Sequence, residues 1–294
     1  MPSRAGRDSR STRATGSVPR RATIRVPDLA PGGWAFEFEN DLYPDIDDAA
    51  VVALALRELG LGEEPVRRGL DWVEGMQSRN GGWGAFDVDN DKLWLYRIPF
   101  CDFGKVTDEP TSDVTAHALE VLGQEPGREA SVARGLDWLL REQEDDGSWF
   151  GRWGVNHLYG TGAVLPALEA CGLGPEHPAV RRAVAWLDAV QNEDGGFGED
   201  ILSYRDRELR GRGESTASQT AWALLAYVAA GEHGRATAER AAAYLCTTQR
   251  PDGDWTEEHY TGTGFPLDFM IRYHLYRLHF PLMALGRLRE RINA

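Results

Sequence analysis

Three aspartates stand within four positions of one another, at Asp45, Asp47 and Asp48. They follow Pro44 and precede the apolar run 49–56, which places them at the N-terminus of a predicted buried helix. Acidic residues at this position commonly cap a helix and complement its dipole. Three carboxylates so close together cannot all ionise cheaply, so we expect at least one to hold its proton near neutral pH. Such a protonated carboxylic acid, beside an aromatic wall, could donate a proton.

One short unit recurs four times along the chain and combines a helix, a glutamine, a glycine-containing turn and an aromatic residue. The glutamines are Gln77, Gln143, Gln191 and Gln249, and the aromatic residues are Trp83, Trp149, Phe197 and Trp255. A spacing of about 50–65 residues is typical of repeats built from a pair of helices. We predict that each glutamine amide satisfies backbone groups at helix ends while its flat face stacks on the indole. These repeats are interpreted as structural.

Apolar segments without a charged face lie between the repeats, at 49–59, 114–122, 160–170 and 216–229. Their alternation with amphipathic helices predicts an all-α fold with two concentric layers, an α/α barrel. The helix pairs are expected near 49–78, 114–142, 160–190 and 216–248, with a last helix near 268–290. These are about nine helices by repeat counting, whereas a barrel of six pairs has twelve. The predicted barrel is therefore incomplete, and its apolar inner surface should be bare unless another chain or segment covers it.

Composition restricts the partners. The net charge of −14 argues against a nucleic-acid partner, and the three cysteines favour a reducing, cytoplasmic compartment without a disulfide framework or a metal cluster. Residues 1–25 carry seven arginines and one acidic residue, so we predict a disordered basic leader followed by a folded domain over 26–294. We see no set of ligands for a metal.

Several blocks of sequence, taken together and in order, carry a family resemblance. They are residues 32–36, 44–48, 98–104, 113–117, 147–156, 158–162 and 260–266. With the glutamine–tryptophan repeats, they resemble the catalytic domain of squalene–hopene cyclases, which are class II terpene cyclases with a terpenoid cyclase/protein prenyltransferase-like toroid. The resemblance runs from about Ile24 to the C-terminus. It implies an isomerase that cyclises squalene, or a related polyprene, to hopene-like triterpenes without a metal or organic cofactor.

The resemblance also implies residue roles. Asp47 would be the acid that protonates a terminal alkene, with Asp45 and Asp48 orienting it and tuning its acidity. His117 would hydrogen-bond to Asp47, and Tyr159 would belong to the water network that restores the proton. Residues expected to line the substrate cavity are Phe36, Glu37, Phe86, Trp153, Phe265, Phe269, Tyr273 and Tyr276. Aromatic faces suit carbocations because they stabilise positive charge without offering a lone pair.

Each assignment has a structural alternative. A lone histidine on an apolar helix, such as His117, is more often a core residue, and Asp113 could pair with it one turn earlier. The spacing of Phe265, Phe269, Tyr273 and Tyr276 is that of one face of a helix, which usually indicates core packing.

The chain also departs from the family. Glu37 replaces the usual glutamine and Phe86 the usual tyrosine, which affects the termination and middle steps of a cascade. Arg272 stands within the aromatic stripe where a small residue is usual.

The largest departure is one of architecture. Full-length members of the family carry a second barrel before the point where this chain begins, and their cavity lies between the two barrels. The chain is therefore expected to act alone, as a homodimer, or beside a partner that supplies the missing barrel. It could also cyclise a shorter polyprene. The family draws an insoluble substrate from lipid, which implies association with a membrane surface.

Three other hypotheses remain. A non-catalytic fragment or interaction subunit would explain the incomplete helix count. A glycosidase would need a second carboxylate roughly 5–9 Å from the first across a polar cleft, and the aromatic wall argues against this arrangement. A zinc-dependent prenyltransferase is disfavoured because no plausible set of Asp, Cys and His ligands is present.

Overall fold

The computed structural model describes residues 26–36, 40, 43–92, 94 and 107–294. Over these residues the chain forms nine α-helices and two short β-hairpins. The helices are α1 (Ile46–Glu58), α2 (Glu63–Gly75), α3 (Ser112–Leu122), α4 (Glu129–Arg141), α5 (His157–Ala170), α6 (Pro178–Val190), α7 (Ala217–Ala229), α8 (Ala236–Thr248) and α9 (Tyr276–Asn293). The strands are β1 (Trp34–Ala35), β2 (Pro44–Asp45), β3 (Gly262–Phe265) and β4 (Phe269–Ile271), paired β1 with β2 and β3 with β4.

The helices form two layers of an α/α toroid, as predicted. Helices α1, α3, α5, α7 and α9 pack successively as the inner layer, and α2, α4, α6 and α8 lie outside them. Helices α5 and α7 are buried along nearly their whole length, because they contact neighbours on every side. Outer helices such as α2 and α4 bury only one stripe of residues and expose charged side chains on the other.

The repeats connect successive outer helices. The Gln77 amide donates to the carbonyls of Gly81, in its own turn, and Ser131, in the first turn of α4. Gln143 bonds Gly147 and Ala179 in the same way, at 2.8 and 2.9 Å. The indole N–H groups of Trp83, Trp149 and Trp255 each donate to a carbonyl near the end of the preceding outer helix. The glycine that follows each glutamine by four residues has a positive φ, which a side chain would strain.

The prediction of a last helix from about residue 268 is wrong at its N-terminal end. Residues 262–271 form the β3–β4 hairpin, and α9 begins only at Tyr276. Pro266 cannot donate a helical hydrogen bond, and the backbone N–H groups of Thr263 and Val155 bond the carbonyls of Trp153 and Thr261. The hairpin is therefore held against the loop before α5.

Two further observations bear on organisation. None of the helices in the described ranges is long and apolar enough to cross a membrane. The predicted leader over 1–25 and the block 98–104 lie outside the described residues and stay as predictions.

Candidate active site

A cavity of about 550 Å³ opens between the N-terminal ends of the inner helices. We call it the aspartate cavity. It is lined by ten of the thirteen predicted site residues: Asp45, Asp47, Asp48, His117, Tyr159, Phe36, Phe86, Trp153, Tyr273 and Tyr276. The chain separates these residues by up to 240 positions, so the toroid alone brings them together. Carboxylates, aromatic rings and aliphatic side chains all contribute to its wall.

The local sequence around the aspartates explains their positions. Asp45 ends strand β2 and caps α1, since its carboxylate accepts the backbone N–H of Asp48 at 2.7 Å. Its side chain is almost fully buried, and burial together with the nearby charges of Asp48 and Asp47 raises its pKa to about 9. Burial also raises the pKa of Asp48. Asp45 is therefore the carboxyl group that keeps its proton at neutral pH, as expected for one member of the cluster.

His117 lies on α3 and reaches across to α1. Its Nδ1 is hydrogen-bonded to Oδ1 of Asp47. Burial opposes a charged imidazole, but the charge and hydrogen bond of Asp47, helped by Glu120 and Asp113, raise the pKa of His117 to about 9. At neutral pH the imidazolium of His117 donates this hydrogen bond to the Asp47 carboxyl group.

Asp113 has a different role from the pairing with His117 considered above. Its carboxylate accepts the backbone N–H groups of Arg152 and Trp153, both at 2.8 Å, and that of Val114 at 3.0 Å. Asp113 is completely buried, and burial raises its pKa. By holding the backbone at 152 and 153, it fixes the Trp153 ring at the cavity wall.

Asp108 holds a second segment of the wall in a similar way, and sequence reasoning missed it. Its carboxylate accepts the backbone N–H groups of Ala85, Phe86 and Asp87, at 3.1, 2.5 and 2.7 Å. These bonds place Ala85 and Phe86 on the cavity wall. No local sequence signal distinguishes Asp108 from an ordinary surface acid, because its partners lie more than 20 positions earlier.

Several aromatic rings of the cavity wall contact one another. Tyr159 lies edge-on to the rings of His117 and Trp222, with ring centres 6.2 and 4.9 Å apart. Tyr273 stacks on Tyr276 at 4.6 Å and meets Phe36 edge-on. Burial raises the pKa of Tyr159 well above its ordinary value, so its hydroxyl stays protonated.

Trp222 and Phe280 also line the cavity and were missed. Trp222, on α7, is nearly fully buried and contacts Phe280 edge-on at 5.3 Å. A signal for Trp222 existed, because it is a tryptophan on a predicted inner helix and outside the repeats. Nothing in the local sequence identified Phe280, which has an equally good core interpretation.

Three predicted residues are not placed at this cavity. Phe269 lies on β4 with 58% of its surface exposed, and the Phe265 ring lies 5.7 Å from the Arg152 guanidinium. Neither contributes to the cavity wall formed by the described residues, because the hairpin replaces the helix whose face they would have shared. Glu37 is outside the described residues, so its predicted place stays a prediction.

The comparisons with known proteins identify the family of the chain and its fold. The sequence model of the squalene–hopene cyclase C-terminal domain matches residues 17–290. Squalene–hopene cyclase from Alicyclobacillus acidocaldarius is 52% identical over 94% of this chain, and dammaradiene synthase from Dryopteris crassirhizoma is 45% identical over 88%. The alignments cover 45% and 42% of those relatives, so the chain spans less than half their length.

A solved structure shows the same fold at much lower sequence identity. The type II terpene cyclase MstE from Scytonema superposes on 92% of this chain, and on 80% of its own, with a TM-score of 0.65 at 18% identity. This likeness establishes the α/α toroid alone, whereas the identities above and the match over residues 17–290 establish descent. The chain belongs to the squalene–hopene cyclase C-terminal domain family.

Proposed function

We propose that this chain carries the proton-donating half of a class II terpene cyclase, in which Asp47 protonates the terminal alkene of squalene or a related polyprene. The observation that carries the proposal is the hydrogen bond between His117 and Asp47 at the wall of an aromatic cavity. An alkene is a very weak base, so its donor must be strongly acidic and shielded from water. A positively charged neighbour strengthens an acid because it stabilises the conjugate carboxylate.

The other residues of the cavity have separate roles in this proposal. Asp45 stays neutral and fixes the start of α1, which orients Asp47 and Asp48. Tyr159, in edge contact with the His117 ring, is the residue through which we propose that water returns the proton to Asp47. Trp153, Tyr273, Tyr276 and Phe86 offer ring faces to the cation as it migrates, each worth about 0.5–2 kcal/mol. The expected products are hopene-like polycyclic triterpenes, with products of shorter polyprenes as the alternative.

The test is incubation of the chain with squalene and with shorter polyprenes, comparing the natural sequence with Asp47→Asn. Loss of the acid should lower the formation of cyclic products by at least about 100-fold. Asp137→Asn is the matched control, because Asp137 is exposed on α4, outside the cavity. Equal product from Asp47→Asn and Asp137→Asn would contradict the proposed role of Asp47.

A second candidate function is that of a subunit that turns over substrate only beside a partner. Phe36 and Tyr43, at the cavity mouth, are 66% and 60% exposed. A polypeptide corresponding to the remaining half of the relatives would cover these rings and exclude water. We expect such a partner, or a second copy of this chain, to raise turnover at least tenfold. Activity that is unaffected by added partner and by protein concentration would exclude this candidate.

We further propose that the chain works at a membrane surface, because polyprenes of this class are insoluble in water and apolar side chains surround the cavity mouth. Cosedimentation with phospholipid vesicles should exceed that of the variant Phe36→Ser/Tyr43→Ser. Equal sedimentation of the two proteins would contradict it.

A further inference from the structure

A second cavity of about 500 Å³ occupies the opposite end of the toroid. We call it the distal cavity. Its wall includes Glu58, Glu169, Glu290 and Arg291, close to the C-terminal ends of α1, α5 and α9. The aspartate cavity lies at the other ends of the same helices, around Asp47, Tyr159 and Tyr276. The two cavities are therefore successive compartments of one lumen, and the aromatic rings that line the first are absent from the wall of the second.

A single ring of side chains belongs to both cavities. Its members are Leu54 of α1, Glu120 of α3, Pro166 of α5, Leu225 of α7 and Arg287 of α9. Each inner helix thus contributes one residue. Leu54 and Pro166 each follow a cavity residue, Asp47 and Tyr159, by seven positions, which corresponds to about 10 Å along a helix.

The two polar members of the ring are bonded to each other. The Arg287 guanidinium lies 2.9 Å from Oε1 of Glu120, and their side chains are 27% and 13% exposed. Three of the five members are apolar, so the ion pair connects α3 and α9 through a ring that is otherwise hydrocarbon. Breaking the pair without replacing its bonds would leave two partly buried charges without partners, which is costly.

We propose that the Glu120–Arg287 ion pair closes the lumen and makes the aspartate cavity blind-ended. A hydrocarbon chain offers no hydrogen bond to replace those it would break, so it cannot pass between the two side chains at low cost. The consequence for the substrate rests on the proposed function: a polyprene cannot thread through the toroid, and the part of it that enters must fit between the cavity mouth and the ring. The pair would thus limit the length of hydrocarbon that the aspartate cavity can hold.

The closure can be tested without turnover, using alkyl maltosides with chains of 8–14 carbons, below their micelle concentrations. The sugar head remains at the cavity mouth, and Trp153 and Trp222, which line only the aspartate cavity, report binding by fluorescence. Each methylene that enters apolar surroundings should tighten binding by about fourfold. In the natural chain the affinity should stop increasing once the alkyl chain is long enough to reach the ring.

The informative variant is Glu120→Ala/Arg287→Ala, which removes both charges together. We expect binding to tighten over at least two further carbons, a gain of about tenfold or more. Glu120→Gln/Arg287→Met keeps most of the volume and should shift the limit in the same direction if the alanine variant folds poorly. Arg291→Ala is the matched control, because Arg291 pairs with Glu169 in the distal cavity but is outside the ring. It should leave the limit unchanged.

Three results would overturn the closure. They are no chain-length limit in the natural chain, the same limit in the natural chain and in both double variants, and no alkyl binding to the cavity at any length. Squalene turnover is measured separately. A protein that shows the chain-length limit but forms no cyclic product contradicts the proposed function while the closure stands. A protein that forms product without the limit contradicts the closure alone.

Discussion

The Nδ1 atom of His117 is hydrogen-bonded to Oδ1 of Asp47, joining α3 to α1 across seventy positions of sequence. This bond gives Asp47 a different environment from that of Asp45. Asp45, buried and close to two other carboxylates, remains neutral, whereas Asp47 faces an imidazolium. Two neighbouring carboxyl groups of the same residue type thereby acquire opposite tasks, one as a neutral helix cap and the other as the proposed acid.

The raised pKa of His117 makes the folded state sensitive to alkaline pH. The pKa increases from an ordinary 6.5 to about 9 on folding, so the stabilisation is complete below pH 6.5 and is lost as the pH rises to about 9. We expect the free energy of unfolding to fall by up to about 3 kcal/mol over that interval. Urea unfolding at several pH values should show a shallower fall in His117→Phe. An equal fall in His117→Phe and in the exposed-site control His259→Phe would contradict this.

Asp45→Asn is expected to stabilise the protein at pH 8. The pKa of Asp45 rises from 3.8 to about 9 on folding, so folding costs free energy increasingly as the pH rises between these values. Asparagine is neutral throughout and can still accept the Asp48 N–H. We expect the free energy of unfolding at pH 8 to rise by about 1–3 kcal/mol, with little gain at pH 4. A loss of stability at pH 8 would show that Asp45 is ionised in the folded protein.

Asp113→Ala should damage both stability and the cavity wall. The substitution leaves the N–H groups of Arg152 and Trp153 without their buried acceptor, which should cost about 2–4 kcal/mol of unfolding free energy. Because Trp153 is then less firmly held, we also expect turnover to fall at least tenfold. Thermal unfolding and near-ultraviolet circular dichroism would measure these effects. Asp137→Ala, on exposed α4, should change neither.

The repeat glutamines allow a comparison within the chain. Gln143 is half-buried and bonds the carbonyls of Gly147 and Ala179, whereas the exposed Gln249 bonds only Gly253 among the described residues. We expect Gln143→Ala to lower the free energy of unfolding by about 1–3 kcal/mol and Gln249→Ala by less than about 1 kcal/mol. Equal losses in denaturant titrations would indicate that the second carbonyl, on the next outer helix, adds nothing.

The sequence by itself determined the features that depend on neighbours along the chain. The alternation of apolar and amphipathic segments predicted inner and outer helices, and each glutamine, glycine and tryptophan acts within its own turn or one helix away. Pro44 and the three aspartates predicted the start of a helix, and α1 begins at Ile46. The last helix was misplaced because the spacing of four aromatic residues fits a helix face, while Gly262, Gly264 and Pro266 favour the hairpin that forms.

Only the tertiary structure decided which groups meet and how they ionise. Burial makes Asp45 the carboxyl group that keeps its proton. Because α3 packs against α1, His117 is hydrogen-bonded to Asp47, whereas Asp113 accepts the backbone N–H of Trp153. The contacts of Asp108, of Trp222 and of the Glu120–Arg287 pair also join residues that are distant in the sequence. Hydrogen bonds, desolvation and charge interactions depend on distances of a few ångströms between residues far apart in the chain. Those distances are set by the packing of the toroid, and no local pattern contains them.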